Sequence, residues 1–490
     1  MGEGEGGGDK RRGGFWGHLF FNSKGLSVLF LVIAMLLMVA IGYVFTYLIP
    51  TKQKSVALTI SSNQAFFIAQ SGVEFAIRHA KDQGWTTPTL LNNLNGITRP
   101  LGAGRFRLIY TNTAPNLDTL TSIGEVPIGT ERRRVNVANF TSFLYYFTYR
   151  KSITVQANQV SSGPLTNFPM LVNITTDNNL RTVANGGRIA SYDVATNDPR
   201  DLIFQSLDDT NCGGAGTAPC RLNHEIESYN PATGQLTAWV RVPSINNGTI
   251  IYMYYGNSCI TASTQNVSGV WAGYNGVWHS RESGTTLTDS TGNNHLSTNS
   301  TQNIGQIGNA QSYNGTTQLA SKISGVVNIP ASNANQTLSV WFTRAGDSAV
   351  RSGVSFVNPS GSGSGLQFGQ RTSGSVGVVG FWQWGGTFLG GTQSNPAANR
   401  WHYMVYTFDG TTHRPYFNGT ALSTATTAAQ TGTPNRIYFS TYDGSSEMWN
   451  GGIDEVRIIN TVRSAGWIST EYRNQNTPTS FYILGNEENN

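Results

Sequence analysis

The chain has 490 residues, of which 12% are charged and 11% aromatic, with a formal net charge of +5. So little charge beside so many rings excludes a chain kept disordered by self-repulsion, and a single long apolar run excludes a polytopic membrane protein. The small excess of 32 Lys plus Arg over 27 Asp plus Glu has no broad basic face behind it, which argues against nucleic acid as a partner.

Residues 1–25 are polar and Gly-rich, with Lys10, Arg11, Arg12 and Lys24. Residues 26–49 carry no charge, and as a helix they would span roughly 36 Å, enough to cross a bilayer. The basic cluster places the N-terminal side in the cytoplasm. The run is longer than a secretory signal core and lacks the small residues of a cleavage site. Helical periodicity continues over residues 55–81, where Phe66, Ala69, Val73, Ala76 and Ala80 recur three and four apart on one predicted face. Glu74 and Arg78 form an i,i+4 pair, Gly84 is a predicted stop, and Pro50 predicts a kink.

Lys24-Gly25-Leu26-Ser27, directly before the apolar run, resembles the leader of type IV pilins, which prepilin peptidase cuts after the Gly. The resemblance implies cleavage between Gly25 and Leu26. Residues 65–76, AFFIAQSGVEFA, are similar to a signature of PilX-type minor pilins and of a minor pilin from the mannose-sensitive haemagglutinin pilus system. Two positions depart from the pattern: Phe30 where most pilins have Glu, and Gln70 where an acidic residue is common. The implied partners are other pilin subunits, met through the helix, together with prepilin peptidase and the assembly machinery. The implied location is the bacterial inner membrane before assembly and the outside of the cell, on a pulled-out filament, afterwards. A subunit without the Glu at Phe30 is a poor repeating unit, because burying an unpaired amine in lipid-like surroundings costs several kcal/mol. The expectation is a place at the filament tip.

Beyond the helix, Phe106, Leu108 and Tyr110 alternate on one strand, and residues 121–126 and 134–138 form two more. Arg132-Arg133-Arg134 reads as a solvated strand end or a helix-packing patch. Cys212 and Cys220 flank a short Gly-rich loop that can close as a disulfide, which implies an oxidising compartment and leaves Cys259 over. With no CxxC pair, a zinc-cysteine site is not expected.

From Tyr149 the chain turns to short strands with Gly, Asn and Pro turns. Residues 145–270 contain Phe168-Pro169-Met170-Leu171-Val172, Trp239-Val240-Arg241-Val242-Pro243 and Ile251-Tyr252-Met253-Tyr254-Tyr255. They resemble an uncharacterised β-sandwich family found beside jelly-roll modules in bacterial surface proteins. On a strand through His224-Glu225-Ile226-Glu227, the two glutamates share a face and His224 points away, so a framework strand is expected there. Residues 271–487 contain Leu338-Ser339-Val340-Trp341-Phe342, Trp401-His402-Tyr403-Met404-Val405 and Gly452-Ile453-Asp454-Glu455-Val456-Arg457-Ile458. They resemble the laminin-G/concanavalin A-like jelly roll, and Asp409-Gly410 and Asn418-Gly419 mark hairpin turns.

The fold class is therefore α+β. A leader (1–25) precedes a long helix (26–84, with 26–49 transmembrane) and a small antiparallel sheet (85–144). Two all-β sandwiches follow, the last a jelly roll. The jelly-roll resemblance implies Ca²⁺ as a candidate cofactor, with Asp289, Asn294 and Asp454 as ligands; the competing reading has Asp289 capping a turn and Asp454 pairing with Arg457 or backbone. Trp382 and Trp384, sharing a strand face, and Tyr442 and Trp449 on a second loop are candidate platforms for a glycan or a surface protein; the competing reading puts one of the Trp pair in the core. Asp454 and Glu455 are adjacent, so on a regular strand they point apart and do not make a hydrolase pair. No HExxH or Walker motif is present, His402 and His413 read as strand residues, and no catalytic residue is assigned. The expected function is a minor pilus-like subunit presenting a lectin-like head. The alternatives are a structural subunit whose β-domains bind nothing, and an anchored surface enzyme acting on polysaccharide.

Overall fold

The computed structural model describes residues 23–490 except 84, 86–87, 113–117, 127–130, 139, 141–146, 259, 261, 360–363 and 384–385. Trp384 and Cys259 therefore lie outside the described residues. The chain forms two compact units, Met1–Leu144 and Tyr145–Asn490.

In the first unit, α1 (Ser23–Tyr43) runs through a π-helical turn at Val44–Leu48 into α2 (Ile49–Asp82). The π turn sits just before Pro50, whose missing N–H and bulky ring disturb the bonding of the preceding turn. Gly25 and Leu26 fall in the first turn of α1. The stretch Phe30–Tyr47 has a mean hydropathy of 2.3, and none of it is buried within the protein. It meets the length and composition needed to cross a membrane.

Four antiparallel strands follow in sheet order: β1 (Thr98–Leu101), β2 (Gly104–Asn112), β3 (Asp118–Val126) and β4 (Glu131–Ala138). Alternation on β2 and β3 is as the sequence predicts, with Phe106, Leu108, Tyr110, Leu120 and Val126 inward. The buried face of α2 keeps the predicted Ala69, Ala76 and Ala80 but not Phe66. Ala65, Ala69, Gly72, Ala76 and Ala80 are buried, while Phe66 is 42% exposed. The reason is close approach. A Cβ on Gly124 of β3 would stand 1.9 Å from the Ala65 carbonyl oxygen, and one on Gly72 would stand 2.2 Å from Ser122 Oγ. Only the smallest side chains fit that contact. The arginine patch on β4 is solvated as expected: Arg132 pairs with Glu125 at 3.1 Å and Arg133 donates to Ser62 at 2.7 Å.

The second unit holds four sheets. Its first strands are β5 (Tyr149–Val155), β6 (Leu165–Ile174), β7 (Ile203–Ser206), β8 (Cys220–Leu222), β9 (His224–Asn230), β10 (Gln235–Ile245) and β11 (Ile250–Tyr255). The jelly roll adds β12 (Tyr274–Trp278), β13 (Thr286–Leu287), β14 (Leu296–Thr298), β15 (Thr301–Ile304), β16 (Asn309–Asn314), β17 (Ala320–Lys322), β18 (Gln336–Phe342) and β19 (Arg351–Asn358). It continues through β20 (Ser364–Ser373), β21 (Val376–Gln383), β22 (Gln393–Ser394), β23 (His402–Phe408), β24 (His413–Phe417), β25 (Thr420–Ala421), β26 (Arg436–Phe439) and β27 (Asn450–Ile459). The chain closes with helix α3 (Ala465–Asn476), β28 (Tyr482–Leu484) and β29 (Glu488–Asn489).

Sheet β28-β5-β11-β7-β8 faces sheet β6-β10-β9 across a core that includes Ile153, Phe168, Met170, Val240, Met253 and Trp467. Sheet β15-β16-β27-β18-β23-β24-β25 faces sheet β13-β14-β17-β26-β19-β20-β21-β22 across a second core with Trp278, Phe342, Phe368, Trp449, Ile453 and Val456. A third cluster, Leu171, Trp239, Trp271, Tyr274, Ile307 and Ile459, joins the back of β6-β10-β9 to the back of β27. Strands at this junction are buried on both faces, so β27 is buried from Gly452 through Ile459.

The sequence carries the second sandwich through residue 487, but the end of the chain belongs to the first. β28 pairs with β5, Tyr482 opposite Val155, and β29 pairs with the start of the same strand. The jelly roll is thus an insertion between β11 and α3. The Asn474 side chain fixes α3 to β6 by accepting from Leu171 N at 2.7 Å and donating to Leu171 O at 3.0 Å. Cys212 and Cys220 form the expected disulfide.

Candidate functional site

Among the described residues of the predicted aromatic platform, Trp382 and Trp449 are not displayed, and Trp384 lies outside the described residues. Trp382 is fully buried, donates its indole N–H to Gln367 Oε1 at 2.6 Å and lies under the Arg371 guanidinium at 3.8 Å. Trp449 is equally buried and donates to the Thr343 carbonyl at 3.0 Å. Large rings on strands covered from both sides gain more by burial than by display. Tyr442 is half-buried on the loop between β26 and β27. Burial, and then Asp443 and Glu447, hold its hydroxyl above the usual phenol range.

The predicted cation ligands are engaged elsewhere. Asp289 is buried and accepts four bonds, from Val277 N (2.9 Å), Thr291 N (2.9 Å), Thr291 Oγ1 (2.8 Å) and Asn294 N (2.8 Å). It caps a turn. The side chain of Asn294 closes on the Val327 backbone, donating to its carbonyl at 2.8 Å and accepting from its N–H at 3.1 Å. Asp454 Oδ2 accepts from Ile307 N at 3.0 Å. These three side chains do not converge on one point as a ligand set among the described residues. His402 and His413 are strand residues: His402 Nε2 faces the Ala397 carbonyl, and His413 bridges Tyr406 and the Thr427 carbonyl.

An open groove of about 330 Å³ lies on the jelly roll, between β15, β16 and the start of β27. Trp401, just before β23, forms part of its wall and is half-buried. Its ring packs against Gly452, where a Cβ would come within 2.7 Å of it. Asn303, Asn399 and Asn450 line the same groove. The side-chain amides of Asn399 and Asn450 make no hydrogen bond among the described residues. No charged side chain lines the groove. An aromatic face beside free planar amides, without charge, is chemistry suited to a neutral polyhydroxylated ligand.

The strongest electrostatic feature is enclosed at the junction of the two sandwiches. Glu225 and Glu227 of β9 point together toward His279, as period-two alternation requires. His279 Nε2 meets Glu225 Oε2 at 3.2 Å, and its Nδ1 meets Glu455 Oε1 at 2.6 Å and Glu227 Oε2 at 3.6 Å. Arg457 bridges Glu455 and Glu471, and its guanidinium stacks over Trp239 at 4.0 Å and Trp271 at 4.8 Å. All of these side chains are buried.

Asp454 and Glu455 were expected to point apart. A β-bulge changes that. Glu455 has φ +49°, and the register of β27 against β18 slips between Ser339 and Trp341. The extra residue keeps Ile453, Val456 and Ile458 in the jelly-roll core and leaves Asp454, Glu455 and Arg457 on the opposite face. Burial lowers the imidazolium pKa of His279, but Glu455 and Glu225 outweigh it and hold it well above the ordinary value. Burial raises Glu225, yet charged His279 and its hydrogen bonds bring it down to about 2. Burial, and then the Glu455 charge, push Glu227 up to about 8 and Asp454 well above its usual range. Sequence reading missed His279 altogether. The available signal was two glutamates in phase on one strand.

Residues 314–469 match the family described as the concanavalin A-like lectin/glucanases superfamily. Residues 215–286 match a domain of unknown function, DUF2341. No curated protein matches the chain. Among solved structures, domain 4 of AbnA, a GH43 extracellular arabinanase from Geobacillus stearothermophilus in complex with arabinotriose, is 16% identical. That match covers 41% of this chain and 98% of the arabinanase domain, at a TM-score of 0.33. The Trypanosoma rangeli sialidase in complex with sialic acid is 10% identical over 78% of this chain and 62% of its own, at a TM-score of 0.34. The botulinum neurotoxin serotype D binding domain is 12% identical over 41% of this chain and 51% of its own, at 0.32. The chain thus spans about half the length of that binding domain. The second sandwich of this chain is similar to concanavalin A-like lectin and glucanase domains, carried behind an N-terminal apolar helix.

Proposed function

We propose that this protein is a membrane-anchored, pilin-like surface subunit whose jelly roll binds neutral glycan in the groove beside Trp401. The observation that carries the binding reading is the groove itself, where a half-exposed indole stands next to the unpaired amides of Asn399 and Asn450 and no charge is present. The match of residues 314–469 to lectin-type domains supports it. The pilin part of the reading rests on the Gly25–Leu26 boundary and on an N-terminal helix whose apolar side chains from Phe30 to Tyr47 are all exposed. Phe66 and Phe67 continue that exposed apolar surface beyond the apolar run. Such a rod is suited to a bundle of like helices. Cleaved, it would start at Leu26 and occupy the inner membrane until assembly carries the head outside.

The test has two arms. Surface filaments are sheared from cells and the N-terminal sequence of this subunit is read. The pilin reading requires it to start at Leu26; a chain that keeps its first residues and stays with the inner membrane refutes it. Full-length protein in detergent is then applied to a glycan array. Retention of neutral glycans that is lost in Trp401→Ala, with the fold intact, is the expected result. No retention of any glycan leaves the two sandwiches as non-binding parts of the filament, and release of free sugar would make the groove that of an enzyme.

A further inference from the structure

We propose that Glu227, His279 and Glu455 form a structural binding site for Zn²⁺ that clamps the two sandwiches together. One ligand atom from each of the three lies within 4.8 Å of the others. The donors come from β9 of the first sandwich, from the segment after β12 and from the bulge of β27, so the site spans the junction. His279 Nδ1 is the common corner, 2.6 Å from Glu455 Oε1 and 3.6 Å from Glu227 Oε2. Around a tetrahedral zinc, N and O ligand atoms stand roughly 3.4 Å apart. Glu227 is already near that separation, and Glu455 must withdraw by only about 0.8 Å.

Three further features suit a metal. The other ring nitrogen of His279 is held by Glu225, whose carboxylate is fixed in turn by Trp271 and by Ser290 Oγ at 2.8 Å. A carboxylate behind the histidine orients the ring and strengthens it as a ligand. Glu455 is steadied by Arg457, and Glu227 by the Trp239 indole at 2.8 Å. Second, Glu227 Oε1 is buried without a hydrogen-bond partner, a free donor on a side chain that already faces the histidine. Third, the carboxylates of Glu227 and Glu455 both crowd the Nδ1 corner of one buried imidazole. A cation held between two carboxylates offsets their mutual repulsion. Zn²⁺ takes the place of the Nδ1 proton, which leaves as the metal binds, so the site gains one positive charge. An imidazole with two carboxylates is a donor set that zinc accepts.

Full-length protein, freed of metal with chelator in mild urea, is returned to native buffer with ZnCl₂, desalted, and its metal content measured. One Zn²⁺ per chain and a raised Tm are expected. Glu227→Gln keeps an oxygen for the Trp239 bond and removes the charged ligand; it should lose the metal. Glu225→Gln should keep the site but weaken it about 10–100-fold. Co²⁺ in place of Zn²⁺ should show d–d bands in the wild type and none in Glu227→Gln. Wild-type protein that takes up no metal, or a Glu227→Gln variant that retains it fully, overturns the proposal.

Discussion

His224 offers a direct measure of how much the protein depends on a neutral imidazole in its core. The ring is fully buried on β9 and meets Phe204 edge-on at 5.4 Å. Burial first, and then the nearby Arg221 charge, bring its pKa down to about 3, against an opposing contribution from the Leu222 carbonyl. The folded value lies below the unfolded one, so folding favours the neutral ring. Its full stability is present above the unfolded pKa of about 6.5 and is lost as pH falls toward about 3. Each pH unit in that window costs about 1.4 kcal/mol, so lowering the pH from 6.5 to 5 removes about 2 kcal/mol. His224→Phe keeps the ring shape and abolishes this dependence. Nine of the eleven tryptophans lie in residues 145–490, so tryptophan fluorescence follows this unit. Urea unfolding of full-length protein in detergent at pH 8 and pH 5 should show the stability gap between variant and wild type widening by about 2 kcal/mol in favour of the variant. An equal gap at both pH values refutes the reasoning, because a ring that reaches water or titrates normally gives no such slope.

Gly124→Ala places a methyl where a Cβ meets the Ala65 carbonyl at 1.9 Å; it should destabilise the first unit by about 1–3 kcal/mol or more and speed amide exchange along β2 and β3. Trp382→Ala should cost about 3–5 kcal/mol, seen as a lower Tm. In the fraction that stays folded, glycan retention should be unchanged, since the indole faces Gln367 and not solvent. Reducing the Cys212–Cys220 bridge, which spans a sequence separation of 8, should cost about 2–3 kcal/mol. Urea unfolding with and without dithiothreitol reads that loss, and Cys212→Ser should show no further effect of the reductant.

What local pattern determines was legible in the sequence. The apolar run, the alternation of Phe106, Leu108 and Tyr110, and the Cys212–Cys220 loop are short-range signals, and each is found in the structure. The failures share one cause: a neighbour on the second face. Trp382 reads as displayed only if β21 has a solvent side, but the strand is buried from Gly377 through Trp382. Phe66 seemed inward by period, yet close packing on Gly124 admits only the alanine row beside it. Glu455 eluded the reading because one bulged residue reverses the phase of everything beyond it. His279 lies 52 positions after Glu227, and no spacing rule connects two residues that meet only when two sheets stack.

The pairing of β28 and β29 with β5 also decides how the second unit takes a pull. Tension carried along the backbone from the N-terminal helix arrives at Tyr149, the first residue of a strand gripped on both edges. On one side stands β11, from Ile250 to Tyr255; on the other stand the last residues of the chain, with Arg150 tied to Glu488 at 2.8 Å. Load applied along that strand is shared by both ladders at once, in shear, instead of peeling bonds one at a time. The C-terminal strands work as a buckle, and trimming them would leave β5 held along one edge alone.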